Sequence, residues 1–344
     1  MPRKRIPVTI ITGFLGAGKT SLLNALIKQH SDLRFAIIEN EFGEIGIDGA
    51  LIVNASENLF ELSNGCICCS LQDGFYATIS TLLSAQSQFD HLLIETTGIA
   101  DPDSVIQPFL NSTAIQQSFE LNSVVCVADA QNLEDLIDEY PEIRKQLATA
   151  DVVLLNKSDE VNPDYANAVF RSIALINPTA TTRTVQHANI QNLELLNSFS
   201  YRSKNVEDSV MNFREVSFLR NTQLQKTSVL QKNGDTKSRH NIHSEGFIIP
   251  GSFKQETFLF WIKNFLFFNR NTIFRIKGLI SFDGTNEMMV FQAVRDNFVL
   301  EPMTNREDET HFCKLVFIGK NIDRDKLEDN LYKLVVTENT QTTC

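Results

Sequence analysis

No apolar run in this chain approaches the roughly 20 residues that a membrane-spanning helix requires. The longest candidate, residues 258–268, is interrupted by Lys263 and Asn264, so no membrane partner is expected. The apolar stretch near the start is too short for an export signal, and Arg3, Lys4 and Arg5 ahead of it read as a solvated tail. A cytoplasmic protein is the expectation. Excess positive charge is lacking as well: the net charge is −11, which excludes a broad basic surface and with it a nucleic-acid partner. No internal repeat or low-complexity tract is visible. What remains is a globular composition, 42% hydrophobic and 21% charged over 344 residues, enough for about two domains.

The chain is organised around Gly13-Phe14-Leu15-Gly16-Ala17-Gly18-Lys19-Thr20, which fits G-x-x-x-x-G-K-[ST]. Residues 5–12 before it read as a buried, β-branched strand, and Ser21 to His30 after it carry Leu22, Leu23, Leu26 and Ile27 at helical spacing. Strand, glycine-rich loop and helix aim backbone N–H groups and a helix N-terminus at phosphates. Gly13, Gly16, Ala17, Gly18 and Ser21 are expected to line the phosphates. Lys19 should reach the β- and γ-phosphates, and the Thr20 hydroxyl should ligate Mg²⁺.

Further along, a second strand over residues 33–40 runs into an acidic, glycine-punctuated stretch containing Glu39, Glu41, Glu44 and Asp48. Loops beyond the carboxyl ends of strands surround the ligand in such domains. Asp48 is the expected switch residue near Mg²⁺, although each of these acids is equally readable as surface solvation. His91 to Glu95 is an apolar strand ending in an acid, with Gly98 three residues later. Glu95 is placed to hold Mg²⁺ through water or to orient the attacking water, and Gly98 to offer its N–H to the γ-phosphate. Asp101 is expected to cap a helix whose first residue is Pro102.

Asn156-Lys157-Ser158-Asp159 follows another apolar strand and has the form Asn-Lys-x-Asp, a guanine-reading signature. A carboxylate at Asp159 accepts from guanine N1–H and N2, whereas adenine would leave it buried without a partner. Asn156 would support the loop and contact the base, and Lys157 would pack on its face. Asp129, ending the strand from Asn122, reads as structural. A helix over Pro163–Ile176, a strand over Thr181–His187 and a short helix over Asn192–Phe199 complete the first domain.

Of six cysteines, Cys66, Cys68 and Cys69 crowd into Cys-x-Cys-Cys. They offer three soft thiolates suited to Zn²⁺, with Co²⁺, Ni²⁺ or Fe²⁺ as alternatives, and leave a fourth position open. A structural zinc site or a redox dithiol would use the same residues. Cys126 reads as a small buried hydrophobe. Residues 201–241 are polar and read as a linker and the entry to a smaller α+β domain over 242–340, built from strands, a hairpin over 288–302, and helices on one face. His240 and His243 are a candidate metal pair, with solvent exposure the plainer explanation.

The ordered segments Gly13–Thr20, Glu39–Glu44, Gly65–Cys69, Glu95–Pro102 and Asn156–Asp159 resemble those of CobW-like GTPases, metallochaperones related to the nickel-insertion GTPases of hydrogenase and urease. Arg275–Gly278 and Leu315–Gly319 are similar to segments of that family's C-terminal domain. The resemblance implies a P-loop G domain over 1–200, with a mostly parallel sheet, and then a CobW-type C-terminal domain. It also implies GTP-dependent delivery of a transition metal, most plausibly zinc, to a client metalloprotein. Cys66, Cys68 and Cys69 become metal ligands with Glu39 as a carboxylate partner. The histidine-rich loop of many relatives is reduced here to His240 and His243, and a Cys-Pro segment of some eukaryotic members is absent from Met1–Pro7. A homodimer is compatible with the sequence. With no glutamine or arginine finger identifiable, slow intrinsic hydrolysis is expected. A small-molecule kinase would explain Lys19 and Thr20 but not Asn156–Asp159 or the cysteines; a non-hydrolysing metal sensor or scaffold is the other alternative.

Overall fold

The computed structural model describes residues 5–39, 59–61, 71–84, 88–191, 193–201, 210, 242–303 and 311–336. The chain divides into two compact units, Met1–Tyr201 and Arg202–Cys344.

The first unit is built on seven strands: β1 (Ile6–Thr12), β2 (Phe35–Glu39), β3 (Leu59–Glu61), β4 (His91–Glu95), β5 (Phe119–Asp129), β6 (Val152–Asn156) and β7 (Thr181–Thr184). Their order is β3-β2-β4-β1-β5-β6-β7, and every pairing is parallel. The helices are α1 (Lys19–Gln29), α2 (Leu71–Ser84), α3 (Asp103–Asn111), α4 (Thr113–Gln116), α5 (Leu133–Glu139), α6 (Pro141–Thr149) and α7 (Pro163–Ile176). The central strands are apolar along nearly their whole length because both faces are covered, as parallel sheets require. On one face, Leu22, Leu23 and Leu26 of α1 pack on Ile11, Phe35, Leu93 and Val125. After β1 the chain moves to one side of the sheet, and β5 returns on the other. The carboxyl end of β1 is therefore the topological switch point, where ligands of such sheets bind.

Three expectations need correction. No helix forms over described residues 193–199. The carbonyl of Leu195 and the N–H of Phe199 would bond to each other in a helix. Instead the Asn122 side chain donates to the first and accepts from the second, at 2.9 and 2.7 Å. Strand β7 stops at Thr184, because His187 and Ala188 take left-handed conformations (φ 49° and 53°) and turn the chain back towards β6. Helix α3 starts one residue later than expected: Pro102 is its cap, and the Asp101 carboxylate accepts from the Asp103 N–H at 3.2 Å.

The second unit is an antiparallel sheet of β8 (Ile242–Pro250), β9 (Ile273–Ser281), β10 (Met288–Val294), β11 (Asn297–Pro302) and β12 (Phe312–Lys320), in the order β11-β10-β9-β12-β8. Helices α8 (Gln255–Asn269) and α9 (Arg324–Tyr332) share one core cluster with Phe247, Ile276, Phe291 and Phe317, which places both on the same sheet face. Phe258 is its centre, with ring contacts to Phe253, Phe282 and Phe291 at 5.6, 5.8 and 5.5 Å. Trp261, the single tryptophan, lies 6.2 Å from Phe258 and reports on this unit. Phe258→Ala should lower the urea stability read by tryptophan fluorescence by about 3–5 kcal/mol, the cost of a large-to-small change in a closed core.

In the first unit His91 is buried and bonded to Thr9 Oγ1 at 2.9 Å. Burial, with a smaller contribution from the charge of His30, pushes its pKa down from 6.5 to about 3. Between those values the unfolded chain holds the proton and the folded one does not, so stability falls as pH falls. His91→Gln should flatten the acid side of the stability profile by about 1.4 kcal/mol per pH unit relative to wild type, measured by urea unfolding.

Candidate nucleotide site

Strand β1 ends at Thr12, and the loop that follows wraps back tightly on the sheet. Gly13 has φ 140°, and a Cβ there would lie 2.2 Å from the Val127 carbonyl oxygen. Gly18 has φ 105°, and its Cβ would meet Asn156 Nδ2 at 2.5 Å. Only glycine fits at these two positions. Helix α1 is capped by Gly18, which has no side chain to bond the first amides, and has no acid in its first turn. Its positive end is left for an anion. Lys19 is buried and its Nζ donates to the Phe14 carbonyl at 3.3 Å, holding the ammonium over the loop. Gly16 also has a left-handed φ, 73°; Ala17 is buried and Ser21 exposed on the helix surface.

The Thr20 hydroxyl donates to Glu95 Oε1 at 3.0 Å. Two hard oxygen donors from residues 75 positions apart are thereby joined at the mouth of the loop. This donor set fits Mg²⁺, which takes hydroxyl and carboxylate oxygens while keeping several waters. Gly98 lies against the loop itself: a Cβ there would be 2.6 Å from the Leu15 nitrogen. Beside it the Thr97 hydroxyl is buried with no hydrogen-bond partner among the described residues.

Asn156 at the end of β6 donates to the Ala17 carbonyl at 2.9 Å and accepts from the Ala188 N–H at 3.0 Å. Its amide thus braces the phosphate loop and the turn after β7. Lys157 has φ 57° and pairs with Asp129 at 2.8 Å. Burial would raise the Asp129 carboxyl, but bonds from Lys157, Asn132 and the Gln131 N–H outweigh it and hold the group below its ordinary value. Asp159 lies in the short turn Ser158–Glu160, 3.5 Å from His187 Nε2. The turn at His187 and Ala188 was not found from sequence; no local motif marks it, and only its bond to Asn156 reveals its place.

Cys66, Cys68, Cys69, Asp48 and His240 lie outside the described residues, as does the side chain of Glu39. The backbone of Glu39 ends β2 in register with Glu95. His243 faces Glu245 at 3.7 Å, and that carboxylate holds Arg324 at 2.7 Å. Among the described residues no group of three or more His, Cys, Asp or Glu could hold a metal. Cys126 and Cys313 are free, and burial pushes both thiols up to about 12. Among the described residues no helix is long and apolar enough to cross a membrane.

The family model for the CobW/HypB/UreG nucleotide-binding domain matches residues 7–183, and that of the CobW C-terminal domain matches 242–335. The chain belongs to the CobW/HypB/UreG family. This CobW-family chain is 29% identical over 345 residues to zinc-regulated GTPase metalloprotein activator 1 of Schizosaccharomyces pombe, covering 93% of this chain and 83% of that one. It is 29% identical over 327 residues to zinc chaperone YjiA of Escherichia coli, covering 94% and 96%. The crystal structure of Zn(II)-bound YjiA GTPase from E. coli superposes with a TM-score of 0.69 at 25% identity, over 97% of this chain and 100% of that one. A nucleotide-binding α/β unit followed by a CobW C-terminal unit is thus the architecture of this protein.

Asn156→Ala removes both braces and leaves a buried carbonyl and a buried N–H without partners. It should cost about 2–3 kcal/mol of stability and weaken nucleotide binding at least roughly ten-fold, measured by unfolding and by calorimetry.

Proposed function

We propose that this chain is a GTP-hydrolysing metallochaperone that binds zinc at Cys66, Cys68 and Cys69 and releases it to a client metalloprotein. The observation that carries the reading is the convergence, at one end of the parallel sheet, of the Gly13–Thr20 cradle, the Thr20–Glu95 donor pair and the Asn156–Asp159 turn. The relatives named as zinc chaperones and as a zinc-regulated GTPase supply the metal and the nucleotide.

On this reading the amides of residues 13–19 and the Lys19 ammonium hold the phosphates. Asp159 accepts from guanine N1–H and N2, while the Lys157 stem lies along the base. Thr20 and Glu95 would hold Mg²⁺, which neutralises charge developing on the β- and γ-phosphates. The Gly98 N–H senses the γ-phosphate, and Glu95 orients the attacking water. Cys66, Cys68 and Cys69 lie in the chain between the segments ending at Asp48 and beginning at Glu95. Loss of the γ-phosphate relaxes these segments and changes the geometry offered to the metal.

Linkage requires that, if GTP tightens zinc binding, zinc tightens GTP binding by the same factor. Calorimetry with a non-hydrolysable GTP analogue should give a zinc affinity at least about five-fold different from that of the apo protein. Equal affinities would overturn delivery driven by GTP. Cys68→Ser should weaken zinc binding while leaving GTP affinity of the zinc-free protein intact; normal zinc binding by this variant would remove the thiolate site. Failure to prefer GTP over ATP would remove the guanine assignment. Thiol alkylation in a Cys344→Ser background gives a second readout, since Cys126 and Cys313 are buried and stay protonated at neutral pH.

A further inference from the structure

Helix α6 has no part in the motifs read from sequence, yet it grips the segment that follows β4. Gln146 is 1% exposed, and its Nε2 donates to the carbonyls of Gly98 at 3.0 Å and Ala100 at 3.3 Å. One residue earlier, Lys145 Nζ pairs with Asp101 at 3.0 Å. Two adjacent side chains therefore hold three of the four residues 98–101. The grip comes from a well-anchored helix. Asn177 Nδ2, itself buried, donates to the Leu147, Ala148 and Ala150 carbonyls at 2.8, 3.2 and 2.9 Å, satisfying acceptors at the end of α6 that have no helical partner. Asp151, just beyond the helix, accepts from the Val124 N–H at 2.9 Å and donates its own N–H to the Val124 carbonyl at 2.8 Å. From there the chain enters β6, which ends at Asn156.

Both N–H bonds of the Gln146 amide are committed to carbonyls, while its Oε1 is buried with no partner among the described residues. Turning the amide over would set an oxygen against two carbonyl oxygens, so the orientation is fixed by the segment it holds. A buried acceptor left without a partner is costly and is tolerated where the surrounding structure gains from the arrangement. Here the gain is a fixed direction for the Gly98 carbonyl, on a residue packed so closely on the Leu15 backbone that a Cβ would not fit.

We infer that Lys145 and Gln146 are positioning residues for γ-phosphate sensing, holding residues 98–101 from the helix that leads into the guanine-reading strand. The inference rests on the proposed reading of Gly98 as the γ-phosphate sensor, and the experiment separates the two. Affinities for GTPγS and GDP are measured by calorimetry for wild type, Lys145→Met, Lys145→Arg, Gln146→Leu and Gly98→Ala, with thermal unfolding in parallel. Gly98→Ala presses on the Leu15 backbone and so lowers both affinities, and the sensor is read from the difference: a loss of GTPγS affinity beyond that of GDP supports it, and the same loss of both removes it. Given that loss, Lys145→Met and Gln146→Leu should weaken GTPγS about five- to ten-fold while GDP affinity stays within about two-fold, and Lys145→Arg should restore most of the difference. Lys145 is partly exposed, so Lys145→Met keeps the test available should Gln146→Leu fail to fold. GTPγS affinity unchanged in Lys145→Met, or GDP affinity falling in step with it, would overturn the proposal.

Discussion

The amide of Asn156 joins three segments distant in the chain: the end of β6 that carries it, the phosphate loop through the Ala17 carbonyl, and the turn after β7 through the Ala188 N–H. A glycine at position 18 lets this amide come so close, since any Cβ there would collide with Nδ2. The bonds are buried, so their loss leaves polar groups that water cannot reach, and that asymmetry makes the arrangement hard to vary. The phosphate loop, the end of β6 and the turn after β7 are thereby tied through one side chain.

Around that brace the segments of the site are held in different ways. The Gly13 turn is locked under Val127, and Lys157 is tied to Asp129. The Glu95–Asp101 segment is held differently, by the Thr20 hydroxyl, by contact of Gly98 with Leu15, and by two side chains of α6. Gln146 alone bonds two of the segment's carbonyls, so the hold is shared between the phosphate loop and α6.

Most of the first unit was legible in the chain because its central parallel strands, covered on both faces, must be apolar along their length, and polar residues such as Glu95, Asp129 and Asn156 mark where they end. Helix α7 and strand β4 took the bounds read from sequence. The misplaced helix at 192–199 had adequate local propensity. It was undone by Asn122, 73 residues upstream of Leu195, which offers the backbone better-placed partners than a helix would. Local pattern cannot report such competition.

Sequence by itself determined the phosphate loop, the acid at the end of β4, the Asn-Lys-x-Asp tetrapeptide and the cysteine cluster. Each is a short run whose chemistry resides in residue type and spacing. Only tertiary structure decided how the runs meet: that Thr20 bonds to Glu95, that Asn156 spends its amide on Ala17 and Ala188, and that Gln146 reaches Gly98. The physical reason is that these bonds link positions 32 to 139 residues apart, so nothing in the neighbouring sequence selects one partner over another until the sheet order sets strand ends side by side.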